Sequence, residues 1–191
     1  TCGTLRGSGD VSAASVDGST HGAGGGAGGR VAIVVTDEAL QATLPIPGIR
    51  FSVMRGRSTY LADGELGTLH FSNTNLIDWS YIPHSGRFAS PVPNPWSVDS
   101  LTISNGYIQI LSNQFTLAVN NDMNVIGTNG ILQLATNNAF SVGRDLTLRD
   151  GATLHLYGHA SQVSTYSVGR TLMLTNRVGV TTPARLCVAA S

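Results

Sequence analysis

Lysine is absent from this chain: all eleven basic residues are arginine, and the formal net charge is zero. Only 12% of residues are charged. That leaves no cationic footprint for nucleic acid or an anionic membrane surface, and both are set aside as partners. Without lysine the surface has no primary amine apart from the N-terminus, although no physical rule demands arginine throughout. No apolar run approaches the roughly 20 residues of a membrane-spanning helix. The opening Thr1-Cys2-Gly3 has neither an initiator methionine nor a charged-then-apolar leader, so the chain reads as a processed module or a fragment of a larger assembly. Cysteine is nearly missing too, with Cys2 and Cys187 at the two extremes.

What is there is a repeat. Val98-Asp-Ser-Leu-Thr-Ile, Val142-Gly-Arg-Asp-Leu-Thr-Leu and Val168-Gly-Arg-Thr-Leu-Met-Leu are variants of one strand, with a looser copy at Val119-Asn-Asn-Asp-Met-Asn-Val. The anchoring valines recur about every 20–26 residues, the length of one β-solenoid turn. Each copy runs through a turn such as Ser104-Asn-Gly106 or Arg149-Asp-Gly151 into a second short strand, Tyr107–Ile110 or Thr153–Leu156. Leu-Thr-Leu places two apolar side chains inward and one polar residue outward, and stacking joins the inward pairs into one core. A coil cannot bury its own apolar face, so stability comes from its neighbours. Asparagines 105, 129, 137, 138 and 176 suit turns, because asparagine tolerates left-handed backbone.

The expected fold is a single all-β domain over residues 1–191, a right-handed parallel β-helix with a long lateral loop. Residues 1–72 are Gly-rich coils, 73–97 a Pro/Trp-rich loop and 98–191 regular coils. Strands at Val31–Val35, Ile49–Val53 and Gly67–Phe71 carry a similar step, roughly 20 residues, into the first half. Asp37–Ala42 has room for one helical turn. The segment 73–97 holds four of the seven prolines and both tryptophans, too long for a simple turn, and function on a regular scaffold gathers in such excursions. About eight coils at roughly 4.8 Å would separate Cys2 from Cys187 by about 4 nm, beyond disulfide reach within one rod. Three readings remain: two unpaired buried thiols, an N-terminal segment that folds back, or a bond from the tail of one subunit to the head of the next.

Several chemistries can be weighed on these residues. Gly24-x-Gly26-x-x-Gly29 fits a dinucleotide fingerprint but follows a Ser/Gly stretch and enters a strand, the reverse of what a pyrophosphate site needs; the glycines read instead as a tight turn where coils approach. Asp145 and Asp150, beside Arg144 and Arg149, are the nearest thing to an acid/base or calcium-binding cluster, yet a turn accounts for them. His155 and His159 would suit a metal only on one helical face, so no metal and no cofactor is expected. Trp79, Tyr81 and Trp96 can stack on sugar faces, with Asp78, His84 and Arg87 as hydrogen-bonding neighbours; alternatively the rings pin the loop to the rod or meet another subunit. Thr102, Thr147 and Thr175 do not read as the regular ranks of an ice-binding face.

The glycine run closing on Gly-Gly-Arg-Val-Ala-Ile33, the segment Glu65–Phe71 and the Val-Gly-Arg-Asp-Leu-Thr-Leu coils resemble the repeats of secreted or cell-surface bacterial β-helix proteins, adhesins and autotransporter passengers among them. The resemblance implies a secreted or surface setting and a stalk, adhesin or filament role, and transfers no catalytic residue. The expectation is a non-enzymatic structural module that self-associates end to end, with a possible Cys2–Cys187 bond between copies. A carbohydrate-binding module using Trp79, Tyr81, His84, Arg87 and Trp96 is the alternative, and a polysaccharide lyase or hydrolase the third reading.

Overall fold

The computed structural model describes residues 1–18, 23–90, 92–112, 114–135, 138–157, 165–175, 179–181 and 185–188. In chain order these form β1 (Ser8–Ser12), β2 (Arg30–Ile33), α1 (Glu38–Ala42), β3 (Gly48–Ser52), β4 (Thr68–Phe71), β5 (Tyr81–Ile82), β6 (Gly86–Ser90), β7 (Trp96–Val98), β8 (Leu101–Ser104), β9 (Tyr107–Ile110) and β10 (Thr116–Val119). They continue with β11 (Met123–Ile126), β12 (Ile131–Leu134), β13 (Ala139–Val142), β14 (Asp145–Arg149), β15 (Thr153–Leu156), β16 (Thr165–Val168), β17 (Thr171–Thr175), β18 (Gly179–Thr181) and β19 (Arg185–Val188). The sheets are parallel and stack as a β-solenoid of about four turns. Two compact units divide the chain, Thr1–Asp78 with His84–Val92, and Trp79–Pro83 with Pro93–Ser191.

The second unit is built as the repeat requires. One five-stranded sheet runs β19-β16-β13-β10-β7, a second β17-β14-β11-β8-β5, and β9, β12, β15 and β18 pair in a third. Val98, Val119, Val142 and Val168 are Cα partners in successive turns, so the interval between the anchoring valines is the length of a coil. Alternation along each strand sends Leu101, Met123 and Leu146 inward in one row and Ile82, Ile103, Val125 and Leu148 in the next, all fully buried. Each such side chain contributes roughly 1.5–3 kcal/mol of transfer free energy. Asn105 takes the left-handed backbone expected at its turn, φ 51°; Asn137 and Asn176 lie outside the described residues.

The first unit departs from the expected step. Ser8 pairs with Gly48 and Arg30 with Thr68, close to twice the interval that the strand spacing suggests. The strands seen in the sequence therefore do not stack in consecutive order, and about four turns replace the eight expected. Between the strands run extended segments, 13–18, 23–29, 53–58 and 62–67, joined by backbone hydrogen bonds at every third residue. Ser15 and Gly18 donate to Met54 and Arg57, Gly25 and Gly28 to Ala62 and Glu65, and Gly64 and Gly67 to Gly56 and Val53. That period is the one of a polyproline-II helix.

The glycines serve this bundle rather than a tight turn. A Cβ on Gly25 would stand 2.0 Å from the Gly56 carbonyl oxygen, one on Gly56 1.9 Å from that of Val16, and one on Gly64 2.0 Å from that of Gly26. Only glycine lets these backbones touch.

One turn of helix forms at α1, with Asp37 Oδ1 accepting the Leu40 N–H as an N-cap (3.0 Å). Its Gln41 is buried and clamps the backbone of Leu5, Oε1 accepting the N–H at 2.7 Å and Nε2 donating to the carbonyl at 3.2 Å.

Residues 73–97 are not a bare loop. They hold a 3-10 turn at Thr74–Leu76 and three strands, β5, β6 and the first part of β7. Leu76, Ile77, Ile82, Phe88 and Trp96 are buried, because the apolar residues among the prolines pack inward.

Candidate functional site

The five residues read as a sugar platform have distinct partners. Trp96 opens β7 and is 1% exposed; its Nε1 donates to the Trp79 carbonyl at 3.1 Å, and the Trp79 ring meets it edge-on with centroids 5.4 Å apart. Trp96 is thus a core residue, and Trp79 is half-buried against it. Tyr81 points outward from β5 and is 48% exposed.

His84 and Arg87 belong to the first unit. His84 is 4% exposed, its Nδ1 accepts the Phe51 N–H at 3.2 Å, and its ring lies 5.4 Å from that of Phe51. The next residue, Ser85, donates to the Phe51 carbonyl and accepts from the Val53 N–H, both at 2.9 Å. Burial pushes the His84 pKa down to about 4, the Arg50 charge adds to this, and Asp78 opposes it. Arg87 is paired with the Glu65 carboxylate.

Two aspartates of the second unit, Asp122 and Asp145, pair with arginines. Arg170 donates to Asp145 through Nε (2.8 Å) and Nη2, and this bond is the main reason the carboxyl pKa is lowered to about 2. Asp122 Oδ1 accepts the Asp145 backbone N–H at 3.2 Å and lies 3.7 Å from Arg144 Nε. Asp150 occupies a left-handed turn position, φ 60°, the backbone role expected for it. A general acid needs a pKa moved toward the working pH, and Asp145 is moved the other way.

His155 points outward from β15, stacked on Tyr157 at 6.2 Å with burial lowering its pKa; His159 lies outside the described residues. Among the described residues no three His, Cys, Asp or Glu side chains gather as a metal site. Cys2 is a half-buried free thiol; Cys187 falls in β19, with its side chain outside the description.

A second outward feature lies on the outer face of the sheet containing β5, β8, β11, β14 and β17. Tyr81, Thr102, Asn124, Thr147 and Met173 are Cα partners from strand to strand and form one outward column. Thr102, Asn124 and Thr147 are half-exposed, and their side-chain polar groups have no partner among the described residues.

No family model, curated protein or solved structure matches this chain.

Of the residues expected to bind sugar, the column includes Tyr81, whereas Thr102, Asn124 and Thr147 were not among them. The column's signal was present. Aligning the repeats puts Thr102, Asn124, Thr147 and Met173 at one position of the motif, whereas Thr175 belongs to the column of Ser104, Ile126 and Arg149. Thr102 and Thr147 share a column with Asn124 between them and Thr175 stands apart, so the three threonines form no rank of their own.

Proposed function

We propose that the chain is a non-enzymatic structural module of an extracellular or cell-surface assembly that propagates by end-to-end stacking of its coils. The observation that carries the reading is the last rung of an apolar row. Ile82, Ile103, Val125 and Leu148 are fully buried, but Leu174, the Cα partner of Leu148, is 48% exposed. Among the described residues its strand β17 ends its sheet, and a further parallel strand would both continue the ladder and cover the row. The non-enzymatic part is supported by the arginine pairing of Asp145, and the setting by the resemblance of the repeats.

Contacts between unlike ends of one chain do not close on themselves and yield filaments. Negative-stain electron microscopy of the non-reduced protein tests this. Regular filaments are the expected result, shortened by reductant if Cys2 and Cys187 bond between copies; dispersed single particles at all concentrations would discard the reading.

A further inference from the structure

We propose that the outward column on β5, β8, β11 and β14 is a binding site for a neutral, linear polysaccharide lying along the direction in which the coils stack. Rung-to-rung pairing fixes the spacing of Tyr81, Thr102, Asn124 and Thr147 at the separation of neighbouring strands, roughly 4.8 Å. A repeating partner that runs across the strands meets an outward hydrogen-bonding side chain at each turn. Two hydroxyls and one amide offer both donors and acceptors, which suits sugar hydroxyls, themselves donors and acceptors. Thr102, Asn124 and Thr147 sit on strands paired on both sides, so little backbone ordering entropy is lost there when a ligand is bound.

The ring of Tyr81 stands at one end of the column, 48% exposed on a strand whose other residue, Ile82, is fully buried. An exposed aromatic ring is the element that stacks on the apolar face of a sugar ring. Charge offers an acidic polymer little hold. Beside the column, Asp122 and Asp145 are paired with Arg144 and Arg170, and the neighbouring column supplies a single cation, Arg149, between Ile126 and Thr175. The site lies on the side of the coils, so it is independent of stacking through their ends. It also moves the sugar-binding role away from Trp96 and His84, which are buried, to residues that face outward.

Isothermal titration of the intact chain with cellohexaose, xylohexaose, chitohexaose and, as the acidic comparator, hexagalacturonate tests the assignment. At least one neutral hexasaccharide is expected to bind. Thr102→Val with Thr147→Val, which keeps shape and removes two hydroxyls, should weaken that binding roughly threefold to tenfold per hydroxyl, and Tyr81→Ala at least tenfold. Circular dichroism should remain that of the wild type, since all three side chains face outward. Absence of binding by every neutral probe, tighter binding of hexagalacturonate, or affinity unchanged in both variants would overturn the proposal.

Discussion

Single buried polar groups set the sharpest energetic conditions in this chain. The Nδ1 of His84 accepts the Phe51 N–H, so the folded state requires a neutral imidazole with its proton on Nε2. Arg50 stands against protonation and Asp78 for it, but burial dominates, and the pKa falls from 6.5 to about 4. Over that interval the unfolded chain binds more protons than the folded one. Stability is therefore complete above about pH 6.5, falls as the pH drops toward 4, and falls no further from this group below that. At 1.36 kcal/mol per unit the loss is bounded on the order of 3 kcal/mol. Urea titrations at pH 7.5 and 4.5 should show a larger drop for wild type than for His84→Gln, whose amide oxygen accepts the same bond without titrating. Equal drops in the two proteins would remove His84 as the cause. Gln41 poses the same question without a charge: Gln41→Ala leaves the Leu5 N–H and carbonyl unpaired, and should cost about 1–3 kcal/mol in the same titration at any pH.

At the scale of elements, the two units answer to different rules. In the second, strands of two to five residues alternate inward and outward, and the motif repeats because each turn reuses the same sheets; the coil length and core rows were legible for that reason. In the first, the apolar strands were also visible, but their pairing was not, because β2 reaches past β3 to β4. The intervening segments hydrogen-bond at every third residue and carry no period-two pattern. Their glycines were legible as sites of close approach, while the partner of each approach lies on a different segment, distant along the chain, as for Gly25 with Gly56 and Gly56 with Val16. Gly56→Ala should therefore act as overpacking and destabilise by on the order of 2–3 kcal/mol. Gly3→Ala, where an added Cβ meets nothing within 4 Å, should stay within about 0.5 kcal/mol. Thermal unfolding of the pair checks this, and equal midpoints would mean that the bundle yields to accommodate a methyl group.

For the molecule as a whole, the candidate site was only partly legible, and burial is the reason. Sequence marks Trp96 and His84 by residue type, yet an aromatic or a histidine among prolines reads alike whether it faces solvent or core. Which way Leu174 faces was legible, since Leu-Met-Leu repeats the inward-outward-inward pattern of Leu-Thr-Leu. Its exposure was not, because exposure of an inward residue depends on whether another rung follows. That makes Leu174 the position at which assembly and folding can be separated. Leu148 is its partner one turn earlier and is fully buried, so Leu148→Asp should unfold the coil. Leu174→Asp places the same charge where half the side chain already meets solvent, and should leave the thermal midpoint of the dispersed protein within a few degrees. In a stacked pair, however, the introduced carboxylate would have to be buried without a partner, and an unpaired buried carboxylate is too costly for an interface to carry. Filaments seen by electron microscopy for the wild type should therefore disappear in Leu174→Asp at equal concentration, with light scattering reporting a single chain. Filaments of unchanged length would place the contact on a surface other than the open rung at β17.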